Sequence, residues 1–138
     1  MKKSQNVTVL LALTVFAALA GCGGGDYDNT DNQQTGYRGI VQEILPSGEI
    51  IRRPGAIVGA AEEYVAGDQI SYGGEVARTV ADANGEFFLP LPPGRYAASI
   101  ISVSPNEERD DTCSYSIRIA NLQQGQVENA NLTISNCR

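Results

Sequence analysis

Residues 37–138 consist of short apolar or alternating runs separated by turns rich in Gly, Pro and Asn. Apolar and polar positions alternate with a period of two in residues 113–119 and again in residues 129–135. This period is typical of strands that bury one face, and no stretch shows a convincing helical period. The pattern predicts seven strands, at residues 37–45, 56–65, 75–81, 86–91, 95–104, 113–120 and 127–135.

Seven short strands joined by tight turns predict an all-β domain, a single antiparallel-rich β-sandwich. The strongest turn signal is Asn84-Gly85, which lies between two of the predicted strands. A two-residue hairpin turn favours this pair because both of its central positions need a positive φ angle. We therefore expect a hairpin with a two-residue loop at this point.

Four segments stand out within this region: Gly39-Ile40-Val41, Pro54-Gly55-Ala56-Ile57-Val58, residues 79–87 (TVADANGEF) and Leu91-Pro92-Pro93-Gly94-Arg95-Tyr96. Together they resemble the carboxypeptidase regulatory-like domain, over roughly residues 37–134. The resemblance implies a seven-stranded, prealbumin-like (transthyretin-like) sandwich with Phe87 and Tyr96 in its core. Extra residues between Glu62 and Gly74 depart from the family pattern. Such domains are accessory modules of many unrelated proteins, so the resemblance implies a fold rather than an activity.

The chain begins with a short cationic region followed by an apolar run. Lys2 and Lys3 precede residues 7–19, which are apolar except for Thr8 and Thr14. A helix that spans a bilayer needs about 17 to 25 residues, so this run is too short for a stable membrane anchor. A positive start, a short apolar core and small residues at its end are instead typical of a cleaved signal peptide.

The apolar run ends in Leu19-Ala20-Gly21-Cys22, which resembles the lipobox of bacterial lipoproteins. In that family a signal peptidase cuts just before the cysteine, which then carries diacylglycerol and a third acyl chain, commonly palmitate. The resemblance implies that residues 1–21 are removed and that lipidated Cys22 anchors the protein durably at a membrane. By the sorting rule of some Gram-negative lipoproteins, Gly23 favours the outer membrane if the source has two membranes.

Removal of the signal peptide leaves 117 residues, enough for one domain. Residues 22–36 are rich in Gly, acidic and amide residues, which predicts a disordered tether before the domain at residues 37–138. Both lysines lie in the signal peptide, so the mature chain has eight arginines and all 16 carboxylates, a net charge of −8. This acidity argues against nucleic acid as a partner and against membrane adhesion by charge alone.

Two cysteines remain once Cys22 is assigned to lipid, and they lie in a compartment that permits disulfides. We expect a bond between Cys113 and Cys137, with two separate buried thiols as the alternative. Pairing the last two predicted strands through Ile117 and Ile134 leaves these cysteines one residue out of register. A bulge or a frayed end near Asn136 is then needed to bring the two sulfurs together.

The residue types present in the chain argue against a catalytic site. The chain has no histidine, and the expected disulfide leaves no free cysteine, which removes the commonest nucleophile–base pairs and any zinc ligand set. Glu62-Glu63 and Asp110-Asp111 are adjacent acids, but neighbours on a strand point to opposite faces. We therefore expect no enzyme activity, no catalytic residue, no metal site and no cofactor.

Two acidic segments could suggest calcium. Asp82, Asn84 and Glu86 occupy alternate positions around a turn, but this loop lacks the length and the distal acid of a calcium loop, so a plain hairpin turn is preferred. Residues 106–111 (NEERDD) form a denser acidic loop. Calcium binding there remains an alternative to a solvated surface loop.

The extra segment at residues 64–74 (YVAGDQISYGG) is the candidate binding loop, with Tyr64, Asp68 and Tyr72 as its candidate contact residues. Tyrosine among glycines suits contact with a sugar ring or a protein surface. The alternative is an irregular edge hairpin whose tyrosines pack back onto the sheet.

These patterns favour a lipid-anchored envelope protein whose non-catalytic β-sandwich serves a structural or protein-interaction role. Its expected partners are the membrane, through the acyl chains on Cys22, and an envelope or surface protein. A ligand-binding module for glycan, peptide or calcium is the alternative function.

Overall fold

The computed structural model describes residues 34–138. The predicted signal peptide, the lipidation of Cys22 and most of the predicted tether lie outside the described residues. Within residues 34–138 the chain is all-β, as predicted, with ten strands in a six-stranded sheet and a four-stranded sheet. Six of the eight strand pairings formed by these residues are antiparallel.

The strands are β1 (Gly36–Ile44), β2 (Ile50–Arg52), β3 (Ile57–Ala66), β4 (Gln69–Val80), β5 (Glu86–Pro90), β6 (Gly94–Ser102), β7 (Ser114–Tyr115), β8 (Ile117–Leu122), β9 (Val127–Asn129) and β10 (Leu132–Ser135). All seven predicted strands are present, but the described residues form ten strands because the last two predicted strands are each divided and the short β2 is additional. Alternation alone did not reveal these divisions, because the chain moves between strand partners without losing its period of two.

Strand β1 is the centre of the six-stranded sheet and pairs with four other strands. Along one edge it pairs first with β5 and then with β2, both antiparallel. Along the other edge it pairs in parallel, first with β9 and then with β10. Between β9 and β10 the Ala130 N–H donates to the Arg38 carbonyl (2.8 Å), and the Ile40 N–H donates to Oδ1 of Asn131 (3.3 Å). At the interruption between β9 and β10, β1 therefore stays paired, through the backbone donor of Ala130 and the side-chain acceptor of Asn131.

The four-stranded sheet has the order β4-β3-β6-β8, with every neighbouring pair antiparallel. Strands β3 and β4 form one long hairpin, whose register shifts on either side of Ala61. The turn of this hairpin is Gly67-Asp68. A positive φ of 64° at Gly67, with none at Asp68, is typical of a type II′ turn. Strand β4 thus begins at Gln69, before the predicted start at residue 75.

The turn at Asn84-Gly85 differs from the predicted two-residue hairpin. Only Gly85 has a positive φ (75°), and the Gly85 N–H donates to the Asp82 carbonyl at 2.9 Å. The Asp82 N–H donates to the Glu86 carbonyl at 2.8 Å, so the loop has three residues, in which a turn is followed by a left-handed glycine. The strands on either side enter different sheets, so this turn connects the two sheets.

Both sheets contribute to one core, as a sandwich-like arrangement requires. The six-stranded sheet contributes Tyr37, Val41, Phe87, Leu89, Leu132 and Ile134, and the four-stranded sheet contributes Val58, Ala60, Tyr96, Ala98, Ile100 and Leu122. The resemblance placed Phe87 and Tyr96 inside, and both are 5% exposed. Most of these residues alternate along their strands with more exposed ones, which is the pattern expected of strands that bury one face.

Tyr37 links the two sheets by a buried hydrogen bond. Its side chain is fully buried on β1, and its hydroxyl donates to the Tyr96 carbonyl on β6 at 2.7 Å. Burial raises the pKa of Tyr37 to about 12. The hydroxyl therefore remains a proton donor across the ordinary pH range.

The structure contains the expected disulfide between Cys113 and Cys137, whose Cα atoms lie 4.0 Å apart. The predicted register of the last strands is wrong, because β10 pairs with β7 through Ile134 and Tyr115. Ile117 belongs to β8 in the other sheet. The irregularity expected near Asn136 is present, since this residue has a positive φ of 56°, a conformation that asparagine tolerates well.

The described domain includes residues before the predicted boundary at residue 37. Thr35 and Gly36, which the sequence pattern assigns to the tether, are both buried. The Thr35 carbonyl accepts from the Leu91 N–H at 2.9 Å, and its hydroxyl oxygen accepts from the Gly125 N–H at 2.7 Å. These bonds attach the entry of β1 to two loops of the domain.

Gly39 is expected to be essential for the central strand. A Cβ atom at this position would lie 3.0 Å from the Asn131 nitrogen and closer still to the Ala130 carbonyl. Because backbone atoms cannot yield as a side chain can, Gly39→Ala should lower the free energy of unfolding by about 1–3 kcal/mol. Urea unfolding of the mature protein with its disulfide intact measures this change.

Gly74→Ala is the matched control for this substitution. Gly74 also lies in a strand, but a Cβ there would meet no atom within 4 Å. Its effect should stay within about 0.5 kcal/mol. Equal effects of the two substitutions would show that β9 and β10 do not constrain Gly39.

Candidate functional site

The three residues of the candidate binding loop lie on the distal part of the β3–β4 hairpin, but they do not form one site. Tyr64 is opposite Ser71 and Tyr72 is opposite Glu63. Directly paired residues share a face of a sheet and successive residues alternate, so Tyr64 and Tyr72 point to opposite faces. Asp68 lies exposed in the turn. The two tyrosines therefore cannot clamp one sugar ring between them.

Tyr64 packs back onto its own hairpin. Its hydroxyl donates to Oε2 of Glu62, and its ring lies against Gly73, with Cε2 3.2 Å from where a Cβ of that glycine would be. The hydrogen bond to Glu62 raises the pKa of Tyr64. Tyr64 nevertheless stays 52% exposed, so its ring lies against the hairpin without entering the core.

Tyr72 instead borders a shallow apolar hollow of about 190 Å³ on the outer face of the four-stranded sheet. The floor of this hollow is made of small residues at outward positions of the two central strands, namely Gly59 and Ala61 on β3 and Ala97 and Ser99 on β6. We call this feature the apolar hollow. No described strand covers it.

Larger side chains form the walls of the apolar hollow. Ile117 and Tyr72, on the two edge strands, are 58% and 51% exposed. Ile101 lies over the floor, since a Cβ on Gly59 would come within 2.7 Å of its Cγ1. Glycine at position 59 therefore allows this isoleucine to lie flat against the sheet.

A buried ion pair lies on the same outer face, beside Tyr72. The Glu63 side chain is completely buried, and its Oε1 accepts from Nε of Arg95 at 2.6 Å. Oε2 is the buried side-chain atom that has no hydrogen-bond partner among the described residues. Desolvation and then the Glu63 carboxylate raise the pKa of Tyr72. The charges of Glu63 and Arg95 thus compensate each other, whereas Oε2 of Glu63 has no hydrogen-bond donor among the described residues.

The outer face of the six-stranded sheet differs in chemistry. Gln42 donates to Thr133 across β1 and β10 (3.4 Å), and the Arg38 guanidinium lies 5.2 Å above the ring of Phe88. A concavity of about 540 Å³ beside Arg38 has charged, aromatic and aliphatic walls, the last from Ile40 and Val80. The exposed large apolar residues on this sheet are Ile44 and Ile50 at the β1–β2 turn and Val127 on β9. The apolar hollow is therefore the more distinctive surface of the described domain.

Asp82 and Asp110, in the two acidic segments, form hydrogen bonds with nearby backbone N–H groups. Oδ1 of Asp82 accepts from the Asn84 and Glu86 N–H groups at 2.8 and 2.9 Å, which stabilises the turn. Oδ1 of Asp110 accepts from the Thr112 N–H at 2.8 Å, and this bond lowers the pKa of Asp110. Residues 34–138 contain no group of three or more His, Cys, Asp or Glu side chains that could hold a metal ion.

The adjacent acids Glu62 and Glu63 do not form a catalytic pair. Glu62 bonds to Tyr64 and Glu63 bonds to Arg95, on the two opposite faces of β3. This divergence follows the alternation expected along a strand.

Sequence reasoning identified Tyr72 but missed the floor of the apolar hollow. The available signal was the row of small residues Gly59, Ala61, Ala97 and Ser99, which alternate with core residues and occupy positions where polar side chains are usual. Recognising it requires knowing that β3 and β6 are neighbours, which the alternation does not reveal.

No helix long and apolar enough to cross a membrane is present in the described part of the chain. No family model and no curated protein matches the sequence. Among solved structures, the chain is similar to a 9R-lipoxygenase from Cyanothece PCC8801, with 13% identity and a TM-score of 0.40 over 75% of this chain. The chain spans 16% of the length of that lipoxygenase. A likeness of this degree carries no argument about function.

Removing Arg95 should destabilise the domain by leaving the Glu63 carboxylate buried without its cation. We expect Arg95→Ala to lower the free energy of unfolding by about 1–3 kcal/mol, because the arginine is half-exposed and solvent weakens the pair. Adding Glu63→Gln should recover part of this loss, since a neutral amide needs no counter-charge. Urea unfolding of the three mature proteins measures both effects.

Arg78→Ala provides the control, because its partner Glu75 is partly exposed on the same sheet. It should cost less than about 1 kcal/mol. If Glu63→Gln worsens the Arg95→Ala protein, the buried charge is not the source of the instability.

Proposed function

We propose that this chain is a lipid-anchored envelope protein whose described domain is a non-catalytic protein-interaction module. The acyl chains on Cys22 hold it at a membrane, which is the outer membrane in a two-membrane cell. The observation that carries the proposal is the apolar hollow, with its exposed walls and its small-residue floor. Exposed apolar surface of this kind is typical of sites where another protein docks.

The size of the apolar hollow favours a protein partner over a free small molecule. Its volume of about 190 Å³ lies below the roughly 300–1,000 Å³ of typical small-ligand sites. An engineered apolar cavity of about 150 Å³ holds benzene, so the hollow can accept one large side chain of a partner. Glu75, the charged residue that lines the hollow, is paired with Arg78, so docking there covers no unpaired charge.

The alternative ligands fit the geometry less well. Tyr64 and Tyr72 point to opposite faces, which argues against a glycan held between rings. Oδ1 of Asp82 and Oδ1 of Asp110 already accept from backbone N–H groups, so calcium at either acidic segment would compete with these bonds. A peptide remains within the proposal, because a segment of a partner protein could supply the side chain that enters the hollow.

We also propose that the domain is of the carboxypeptidase regulatory-like, prealbumin-like type. Support comes from the two sheets that share one core and from the burial of Phe87 and Tyr96 in the segments that carry the resemblance. The close approach of Ala130 to Gly39 agrees with a small residue at that position of the pattern.

Lipidation is tested by growing cells with an alkyne-tagged fatty acid and separating membranes from soluble protein. We expect the wild type to carry the label and to sediment with membranes, whereas Cys22→Ala should be unlabelled. The double variant Cys113→Ala, Cys137→Ala is the control, because it removes the other two cysteines and should keep the label. A labelled Cys22→Ala protein would contradict the anchoring.

The docking role is tested by native electrophoresis of membranes solubilised in mild detergent. We expect the wild type to migrate in a complex larger than the chain alone. Ala97→Arg places a charge in the floor of the apolar hollow and should release the chain from that complex. Thr133→Arg, on the outer face of the other sheet, should leave it unchanged. Equal migration of all three proteins as single chains would overturn the docking role.

A further inference from the structure

We propose that the protein that docks on the apolar hollow is a second copy of this chain. Two domains would pack through the outer faces of their four-stranded sheets about a two-fold axis. This inference rests on the docking role proposed above and adds the identity of the partner.

The outer face of the four-stranded sheet carries both a recess and a projection, as a self-complementary surface requires. The apolar hollow is the recess, and Ile117 beside it is the projection, with 58% of its surface exposed. In a two-fold interface the contact of one residue with another occurs twice, with the copies exchanged. An axis between the hollow and Ile117 therefore lets the isoleucine of each copy enter the hollow of the other.

The charges on this face also fit a second copy. Glu63 is paired with Arg95, and Glu75 is paired with Arg78 within hydrogen-bond distance. The charged side chains on the strands of this face therefore sum to zero, so a partner needs no charge of either sign to bind there. Residues 34–138 as a whole carry eight arginines and 13 carboxylates, a net charge of −5. Part of this charge lies in the loop that contains Glu107 and Glu108, which borders the face beside Arg78 and Ile101. Two copies can therefore meet over the paired charges of the strands, with the acidic loop at the edge of the contact.

The area of the face indicates a reversible association. Strands lie about 4.8 Å apart and rise about 3.4 Å per residue, so four strands of six residues cover a footprint of about 400 Å². A stable interface buries about 800 Å² on each partner. Copies free in solution should therefore pair weakly, whereas two copies anchored to one membrane by Cys22 gain the high effective concentration that favours pairing.

Photo-cross-linking in intact cells tests the proposal with the full chain. The photoreactive residue p-benzoylphenylalanine replaces Ile119, which lies on the same outer face and is 39% exposed. Cells co-express two forms of the chain with different epitope tags at the C-terminus. We expect a product of twice the mass of the mature chain that carries both tags. The same probe at Thr133, on the outer face of the other sheet, should give no such product.

Substitution of the projecting residue provides the second measurement. Ile117→Arg should reduce the doubly tagged product at least fivefold, and Ile117→Ser, which keeps an uncharged side chain at this exposed position, should reduce it less. Resistance to trypsin, compared with the wild type, reports whether each variant is folded.

The remaining outcomes separate this inference from the proposed function. A cross-link from position 119 to a different protein would overturn the second copy but keep the docking role. Absence of any product from position 119 would overturn both. A doubly tagged product equally strong from positions 119 and 133 would show random encounter in the membrane and would also overturn the inference.

Discussion

The hydrogen bonding of strand β1 is the constraint on which the rest of the domain depends. A buried strand must satisfy its backbone N–H and C=O groups on both edges. Strand β1 does so with four partner strands, with backbone groups next to those strands and with one asparagine side chain. This arrangement brings residues near both ends of the described chain to one strand. It also explains Gly39, because the chain crosses from β9 to β10 directly against that residue and leaves no room for a Cβ.

The four-stranded sheet follows from this frame, since its inner face must cover the core that β1 and its partners present. Tyr37 makes the connection specific, because its buried hydroxyl finds an acceptor only when β6 lies opposite β1. Inner positions of β3 and β6 are then filled by core residues such as Val58 and Ile100. The outer positions of β3 and β6 do not contribute to the core. The small residues at these positions form the shallow apolar hollow.

The local strand pattern could be predicted from the sequence, whereas the partners of each strand could not. Alternation located the segments that became β1, β3, β5 and β6, since burying one face imposes a period of two. It could not show that the chain leaves one sheet at Ser116, because the period continues through that residue into the next sheet. The same limit applies to the site. Tyr72 is visible as an aromatic residue among glycines, but the hollow that it borders exists only when β3 lies beside β6.

The buried Glu63–Arg95 pair limits the extent of the apolar surface on the outer face of the four-stranded sheet. A buried ion pair contributes little net stability, and apolar residues of similar size often serve as well or better. Glu63 moreover keeps one oxygen without a partner among the described residues. Apolar residues at these two positions would extend the apolar surface from the hollow towards exposed Val65 and Ile70 on the hairpin. A long apolar face beside the edge strand β4 would invite association in many registers. We therefore interpret the pair as limiting docking to the hollow, where size and shape select the partner.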